Sequence, residues 1–278
     1  MTTTTHIIPK DRPAYIAFGL LVLFYLPAIY DLVIDWYTDP NYSHGFLVPI
    51  ISAYLLWKKR TELVSLPQSG NNAGLIVIIL GMILFVLGNG ASEYFTVRFS
   101  LVVMIFGLVL YLCGTPLVRR TWFEILFLVF MIPIPYVIYF SATFPMQLFA
   151  SKVTVTLLSL LGMPVIRQGN IIHLPNQMLE VAEACSGLRS LISLLALGAL
   201  YAYMTQRQLS GKIILFLSTI PIAIIGNVFR VFVTALLAYT LETSVTTEPI
   251  HTIMGLSVFV VAFVLLFVFG AILRWILR

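Results

Sequence analysis

Apolar runs of about twenty residues follow one another along almost the whole chain, and this succession restricts the possible folds more than any single motif does. A bilayer's hydrocarbon core, ~30 Å thick, is crossed by roughly 20 apolar residues in an α-helix. Inside lipid, a chain must satisfy its own backbone hydrogen bonds, which helices do within one segment. Runs near residues 14–34, 47–57, 73–87, 99–113, 121–140, 185–204, 212–239 and 253–275 read as spans. With 60% hydrophobic and 10% charged residues among 278, and a mean hydropathy of +1.02, a soluble globular domain is excluded. The expected fold class is therefore all-α: a polytopic membrane helical bundle of about eight transmembrane helices. The spans leave no stretch long enough for a separate soluble domain, so residues 1–278 are expected to form a single integral-membrane domain.

Departures from the pattern locate the other elements. Residues 1–12 are polar and read as a cytoplasmic tail. The run after them ends in Asp35-Trp36-Tyr37-Thr38-Asp39-Pro40 and not in a small-residue cleavage site, so it resembles an uncleaved signal anchor. Pro133 and Pro135 should kink the fifth run. Between Gln147 and Leu161, Lys152, Thr156 and Ser159 recur on one helical face, which predicts a helix lying in the membrane interface. Residues 165–183 predict a small outer-face hairpin: Gln168-Gly169-Asn170 is a turn signal, with short strands at Ile171–Leu174 and Met178–Val181.

Lysine and arginine set the orientation. With a cytoplasmic amino terminus and eight crossings, Lys10, Arg12, Lys58, Lys59, Arg60, Arg119, Arg120, Arg207, Lys212, Arg274 and Arg278 all fall inside, eleven of the sixteen basic residues. Arg98, Lys152, Arg167, Arg189 and Arg230 fall outside or in the outer half of the membrane, so the positive-inside rule favours this arrangement, with both termini cytoplasmic. The net charge of +5 reports topology, because the basic residues sit at run ends and form no aromatic-interleaved stripe for nucleic acid.

Under that topology three reactive residues from consecutive spans meet at the outer face. Glu183-Ala184-Cys185-Ser186-Gly187-Leu188-Arg189-Ser190 brings a thiol and two charges to the threshold of the seventh run. Arg230 lies eighteen residues after Lys212, roughly 27 Å at 1.5 Å per residue, and therefore near the outer side. His251 opens the eighth run. A thiol reacts as thiolate, which an imidazole, a cation and a helix amino terminus all favour. The chemistry suggested is acyl transfer: Cys185 attacks a carbonyl, Arg230 and amides near Gly187 stabilise the oxyanion, and His251 protonates the leaving amine.

Blander readings stand beside each of these. The octapeptide can be a helix terminus with a structural cysteine and a snorkelling arginine, Arg230 can pair with Glu242 or Glu248, and His251 can be an ordinary interfacial histidine. Asn227 can orient the guanidinium or bond a helix carbonyl freed near Pro221 and Gly226. His44 is a second outer-face histidine, and its neighbours Ser43 and Gly45 suggest a mobile loop admitting a substrate. Cys113 has no charged neighbour and reads as a core cysteine, and His173 reads as a packing or solvent-facing residue. No metal spacing is present, and neither a metal nor a cofactor is expected.

The octapeptide, the Asn227-x-x-Arg230 pair, His251 and the early Tyr42-Ser-His-Gly-Phe-Leu-Val-Pro49 together resemble the exosortases, from about Asp35 to the end of the chain. The resemblance implies a membrane cysteine protease or transpeptidase of the Gram-negative inner membrane with a periplasm-facing site and a link to exopolysaccharide production. It implies Cys185 as nucleophile with Arg230 and His251 as partners, and Glu183, Ser186, Gly187, Arg189, Asn227 and His44 as supporting or substrate-binding residues. The implied partner is an exported protein whose carboxy-terminal tail carries a Pro-Glu-Pro motif, a transmembrane helix and basic residues. It would be cut there through a thioester and in some cases passed to an acceptor. The alternative is a non-enzymatic component or transporter of an exopolysaccharide export assembly. A transporter should spread polar residues through several spans near mid-membrane, whereas these gather at outer ends.

Overall fold

The computed structural model describes residues 12–67, 69–181, 188–241 and 250–277, with side chains described for 16–67, 69–181, 191–240 and 259–277. Its contacts cluster into two compact units, Met1–Pro135 and Tyr136–Arg278.

In the first unit, α1 (Arg12–Phe24) and α2 (Leu26–Thr38) meet at a 60° bend. Pro27 at the start of α2 lacks an N–H to continue the ladder, which is why the helix breaks here. Tyr25 at the bend is fully buried and donates to Ser100 Oγ at 2.7 Å. A 3₁₀ helix, Pro40–Phe46, leads into α3 (Leu47–Lys58) and the short α4 (Arg60–Val64). The tightest packing joins α5 (Ala73–Gly90) to α6 (Tyr94–Cys113). Gly74, Gly81 and Gly88 recur every seven residues along the buried stripe of α5. A Cβ at Gly74 would stand 2.3 Å from the Tyr111 amide, and one at Gly107 would stand 2.9 Å from that of Ile78. Small residues here let the two backbones approach, the usual basis of helix association in lipid, where burial from water drives nothing. Thr115–Phe127 forms α7, followed by a 3₁₀ turn, Leu128–Met131, and a break at Pro133 and Pro135. Two ion pairs pin the ends: Asp35 with Arg98, and Lys59 with the fully buried Glu124, both at 2.7 Å.

The second unit begins with α8 (Tyr136–Leu160), one continuous 25-residue helix with Pro145 inside it. The predicted interfacial helix is thus not a separate element, because Gln147–Leu160 continues α8. Its buried stripe is the face opposite the one that suggested an interface: Thr143, Gln147, Ser151 and Thr154 are buried, while Lys152, Thr156 and Ser159 are exposed. The expected hairpin is a three-stranded antiparallel meander of β1 (Ile166–Gln168), β2 (Ile171–His173) and β3 (Met178–Glu180). Gly169 turns β1 into β2 at φ +65°, and β1 is the strand that the alternation missed, since all three of its residues are exposed. Three long helices complete the unit: α9 (Leu188–Thr205), α10 (Leu209–Leu241) and α11 (Ile250–Ile276).

Two apolar clusters hold this unit together. Leu194 and Ala202 of α9, Leu215, Ile222 and Ala223 of α10, and Ala262, Leu266 and Leu273 of α11 form one. Ala150 of α8, Ile172, Leu174 and Val181 of the sheet region, and Val231 and Ala238 of α10 form the other. The sheet therefore caps the carboxy-terminal half of α10, where Gln177 also donates to the Ala238 carbonyl at 2.8 Å. At 33 residues α10 is about 50 Å long, well over the hydrocarbon thickness, so its sheet-bearing end is free to stand beyond the membrane.

The protein is a multi-pass integral membrane protein with an all-α bundle fold. Among the described residues α5, α6, α10 and α11 have the length and apolarity to cross alone, and six spans result if α1 with α2 and α7 with α8 each count as one bent crossing. The helix expected from after Phe46 to Trp57 is the 12-residue α3, which at about 18 Å is too short to cross unaided.

Candidate functional site

Of the residues singled out in the sequence, Arg230 and Asn227 are those whose side chains the structure describes within the second unit. Three residues apart on α10, they share a face, and both are buried, at 6% and 1% exposure. The α8 stripe packs toward the same helix, which brings Thr154, fully buried, to the α8 and α10 layer. The amide oxygen Oδ1 of Asn227 and the hydroxyl Oγ1 of Thr154 have no hydrogen-bond partner among the described residues, and neither has His173 Nε2 on β2. Each such buried atom costs roughly 1–3 kcal/mol in the resting protein. Thr154 and Gln147 carry no candidate signal of their own in the sequence, and His173 reads there as a packing or solvent-facing residue. The signal available was the i, i+4 recurrence of Thr143, Gln147 and Ser151, and it was obscured by the equally periodic exposed face of Lys152 and Thr156.

The register of α9 against α10 fixes which end of the bundle each motif belongs to. Gly198 of α9 lies against Thr219 of α10, and Gln206, just past α9, lies against Gly211 at the start of α10. Eight residues down one helix thus match eight along the other. Ten residues back from Gly198, Leu188, the first residue of α9, is level with Phe229, beside Arg230. On the other flank of the octapeptide, Val181 is buried in the cluster that contains Val231 and Ala238. Both described flanks of the cysteine motif therefore stand along α10 from the height of Arg230 outward. Glu183, Cys185, Ser186 and Gly187 lie outside the described residues, as does the side chain of Arg189 in the first turn of α9.

His251 is the second residue of α11, and its side chain also lies outside those described. Leu277 near the other end of α11 abuts Gly211. From that common level His251 is 26 residues along α11 and Arg230 is 19 along α10, so the helix rise sets His251 about 10 Å further toward the sheet end.

His44 belongs to the first unit, in the 3₁₀ helix Pro40–Phe46. The mobile loop expected there is instead pinned. His44 Nε2 donates to the Phe130 carbonyl at 3.2 Å, Trp36 Nε1 donates to the Met131 carbonyl at 2.7 Å, and Gly45 lies so close to the Trp36 indole that a Cβ would collide with it. Burial pushes the His44 pKa down, and backbone bonds at Phe130 and Asn41 only partly restore it. This histidine is therefore neutral at physiological pH and is engaged by backbone. Glu93, by contrast, caps α6 through the amides of Phe95 and Thr96 at 3.1 and 2.7 Å. Burial alone would raise its pKa, but these bonds and the charge of Arg98 outweigh that and hold it below the ordinary value.

The fold and the buried Arg230 layer define a polytopic helical membrane protein with polar groups kept inside its bundle near one end. The chain belongs to the transmembrane exosortase family, whose model matches residues 36–268. No curated protein and no solved structure is significantly similar to it.

Proposed function

We propose that this exosortase is a membrane cysteine protease, with transpeptidation as the second outcome of the same intermediate, acting on the carboxy-terminal sorting tail of exported proteins. The observation that carries the reading is the level of Arg230: a guanidinium buried in a membrane helix, beside the residue at which α9 begins, three residues after Cys185. An arginine buried inside a membrane helix bundle is rare, pairs with groups of the interior, and marks a functional site by default.

In this reading the Cys185 thiolate attacks the scissile carbonyl, and the carbon–sulfur bond forms as the carbonyl π electrons move to oxygen. Arg230, with backbone amides of the octapeptide, donates to that oxyanion. Its collapse breaks the carbon–nitrogen bond, and the imidazolium of His251, charged by the proton taken from the thiol, delivers it to the leaving amine. Water, or the amine of an acceptor, then attacks the thioester and returns the proton to the sulfur. Asn227 and Thr154, one turn or one helix from Arg230, supply an acceptor and a hydroxyl for the peptide backbone of the bound tail. Glu183, Ser186, Gly187 and Arg189 support binding. The distribution of basic residues favours both termini in the cytoplasm of a bacterial cell, with the sheet end of the bundle at the periplasmic face of the inner membrane.

The test is co-expression with a tagged substrate bearing a Pro-Glu-Pro motif, a transmembrane helix and a basic end. A size shift is expected with the wild-type chain and none with Cys185→Ala at equal protein level. A shift that survives Cys185→Ala removes the nucleophile.

A further inference from the structure

At the opposite end of the second unit from the sheet, the connection between α9 and α10 and the last turns of α11 border an open cavity of about 990 Å³. Its frame is fixed by hydrogen bonds. Gln206, 5% exposed, donates to the Gly270 carbonyl at 3.2 Å, and Gln208 donates to the Leu277 carbonyl at 3.3 Å. Into this frame two arginines contribute from separate elements, Arg207 from the connection and Arg274 from α11, and Trp275 forms an adjoining wall. Both arginines are exposed, and neither has a carboxylate partner among the described residues. The cavity lies about 28 Å along α10 from Arg230, nineteen residues from Gly211, so the chemistry proposed above makes no use of it.

We infer that this cavity binds the phosphate of an anionic phospholipid headgroup. Two guanidiniums with no carboxylate partner among the described residues bring two positive charges to one cavity, and the planar fork of each matches phosphate oxygens bidentately. The lipid source follows from what surrounds the charge. The cavity opens where α11 ends, at headgroup depth for a helix that crosses. Trp275 is 77% exposed and adjoins Ile272 and Ile276, at 48% and 63%, on the outer surface of α11. An indole at the end of an apolar helix is suited to the interface between headgroup and acyl chain, and basic pockets between spans bind acidic headgroups. A free phosphate ion would satisfy the arginines but leave that apolar wall without an occupant.

The experiment uses the full chain purified in neutral detergent, with retained lipid counted by native mass spectrometry during titration with phosphatidylglycerol, phosphatidylcholine or inorganic phosphate. Loss of both charge-assisted contacts implies that Arg207→Gln/Arg274→Gln binds phosphatidylglycerol at least ~10-fold more weakly than wild type, while phosphatidylcholine retention is unchanged. Arg207→Lys/Arg274→Lys keeps the charge and guards against misfolding, and is expected to fall between the two. Arg119→Gln, an exposed basic residue of the first unit, is expected to match wild type. Equal retention by the glutamine pair, an equal loss in Arg119→Gln, or a lysine pair indistinguishable from wild type overturns the inference. Inorganic phosphate that displaces phosphatidylglycerol and stabilises the protein as well as the lipid does would make this a free-anion site, and would overturn the lipid assignment.

Discussion

Asn227→Leu is expected to make the protein more stable and less active. Asn227 is 1% exposed, and its Oδ1 has no partner among the described residues. Leaving such an acceptor unpaired inside the bundle costs roughly 1–3 kcal/mol, whereas leucine has the same branching, a larger volume and no polar atom to satisfy. The substitution should therefore raise unfolding stability by about 1–3 kcal/mol. At ~2–4 °C per kcal/mol for a chain of this length, the thermal midpoint rises by several degrees. Asn227→Ala removes the same penalty but leaves space behind, so its gain should be smaller. Midpoints are read by intrinsic fluorescence in one detergent, and processing by the size shift of the co-expressed substrate, expected to fall at least ~10-fold if the amide contacts the tail or orients Arg230. A leucine variant less stable than wild type would show that the amide is satisfied at rest. Wild-type processing would show that the site does not need it. Either result refutes the reasoning.

Arg230→Lys should leave protein level unchanged yet reduce processing by about 10-fold or more, because a point-charge ammonium does not reproduce a five-donor planar fork. Near-normal processing would reduce Arg230 to a generic charge. An alkaline phosphatase fusion after Asn170 should be active and one after Arg207 inactive, and the reverse pattern would put the sheet on the cytoplasmic side. His44 gives a pH signature. Its folded pKa lies below the ordinary 6.5, so on acidification the unfolded chain takes the proton first. Stability is then constant above about 6.5 and falls as pH drops from there toward the folded value. His44→Gln should flatten that part of a thermal-midpoint profile, and an unchanged slope would assign it to other groups.

Charge and apolar length alone determined the membrane class, the break at Pro133 and Pro135, and the motifs that carry the family, because these follow from local chemistry and from the cost of placing unpaired polar groups in lipid. The Asn227 and Arg230 pair was legible for the same reason: polar residues in an apolar run stand out. Tertiary structure decided which faces are used. Lys152 and Thr156 suggested an interfacial helix, yet α8 continues from Tyr136 and buries the alternate stripe, since helical periodicity is the same whichever face is covered. His44 beside Gly45 suggested mobility, but the glycine is there to admit the Trp36 ring, a partner the local sequence does not reveal. Strand β1 was missed because three exposed residues carry no alternation, and only pairing with β2 makes them a strand. The arginine cavity likewise needed the fold, since Arg207 and Arg274 are 67 residues apart and line one cavity only because α9 and α11 run in parallel, packed against each other and against α10.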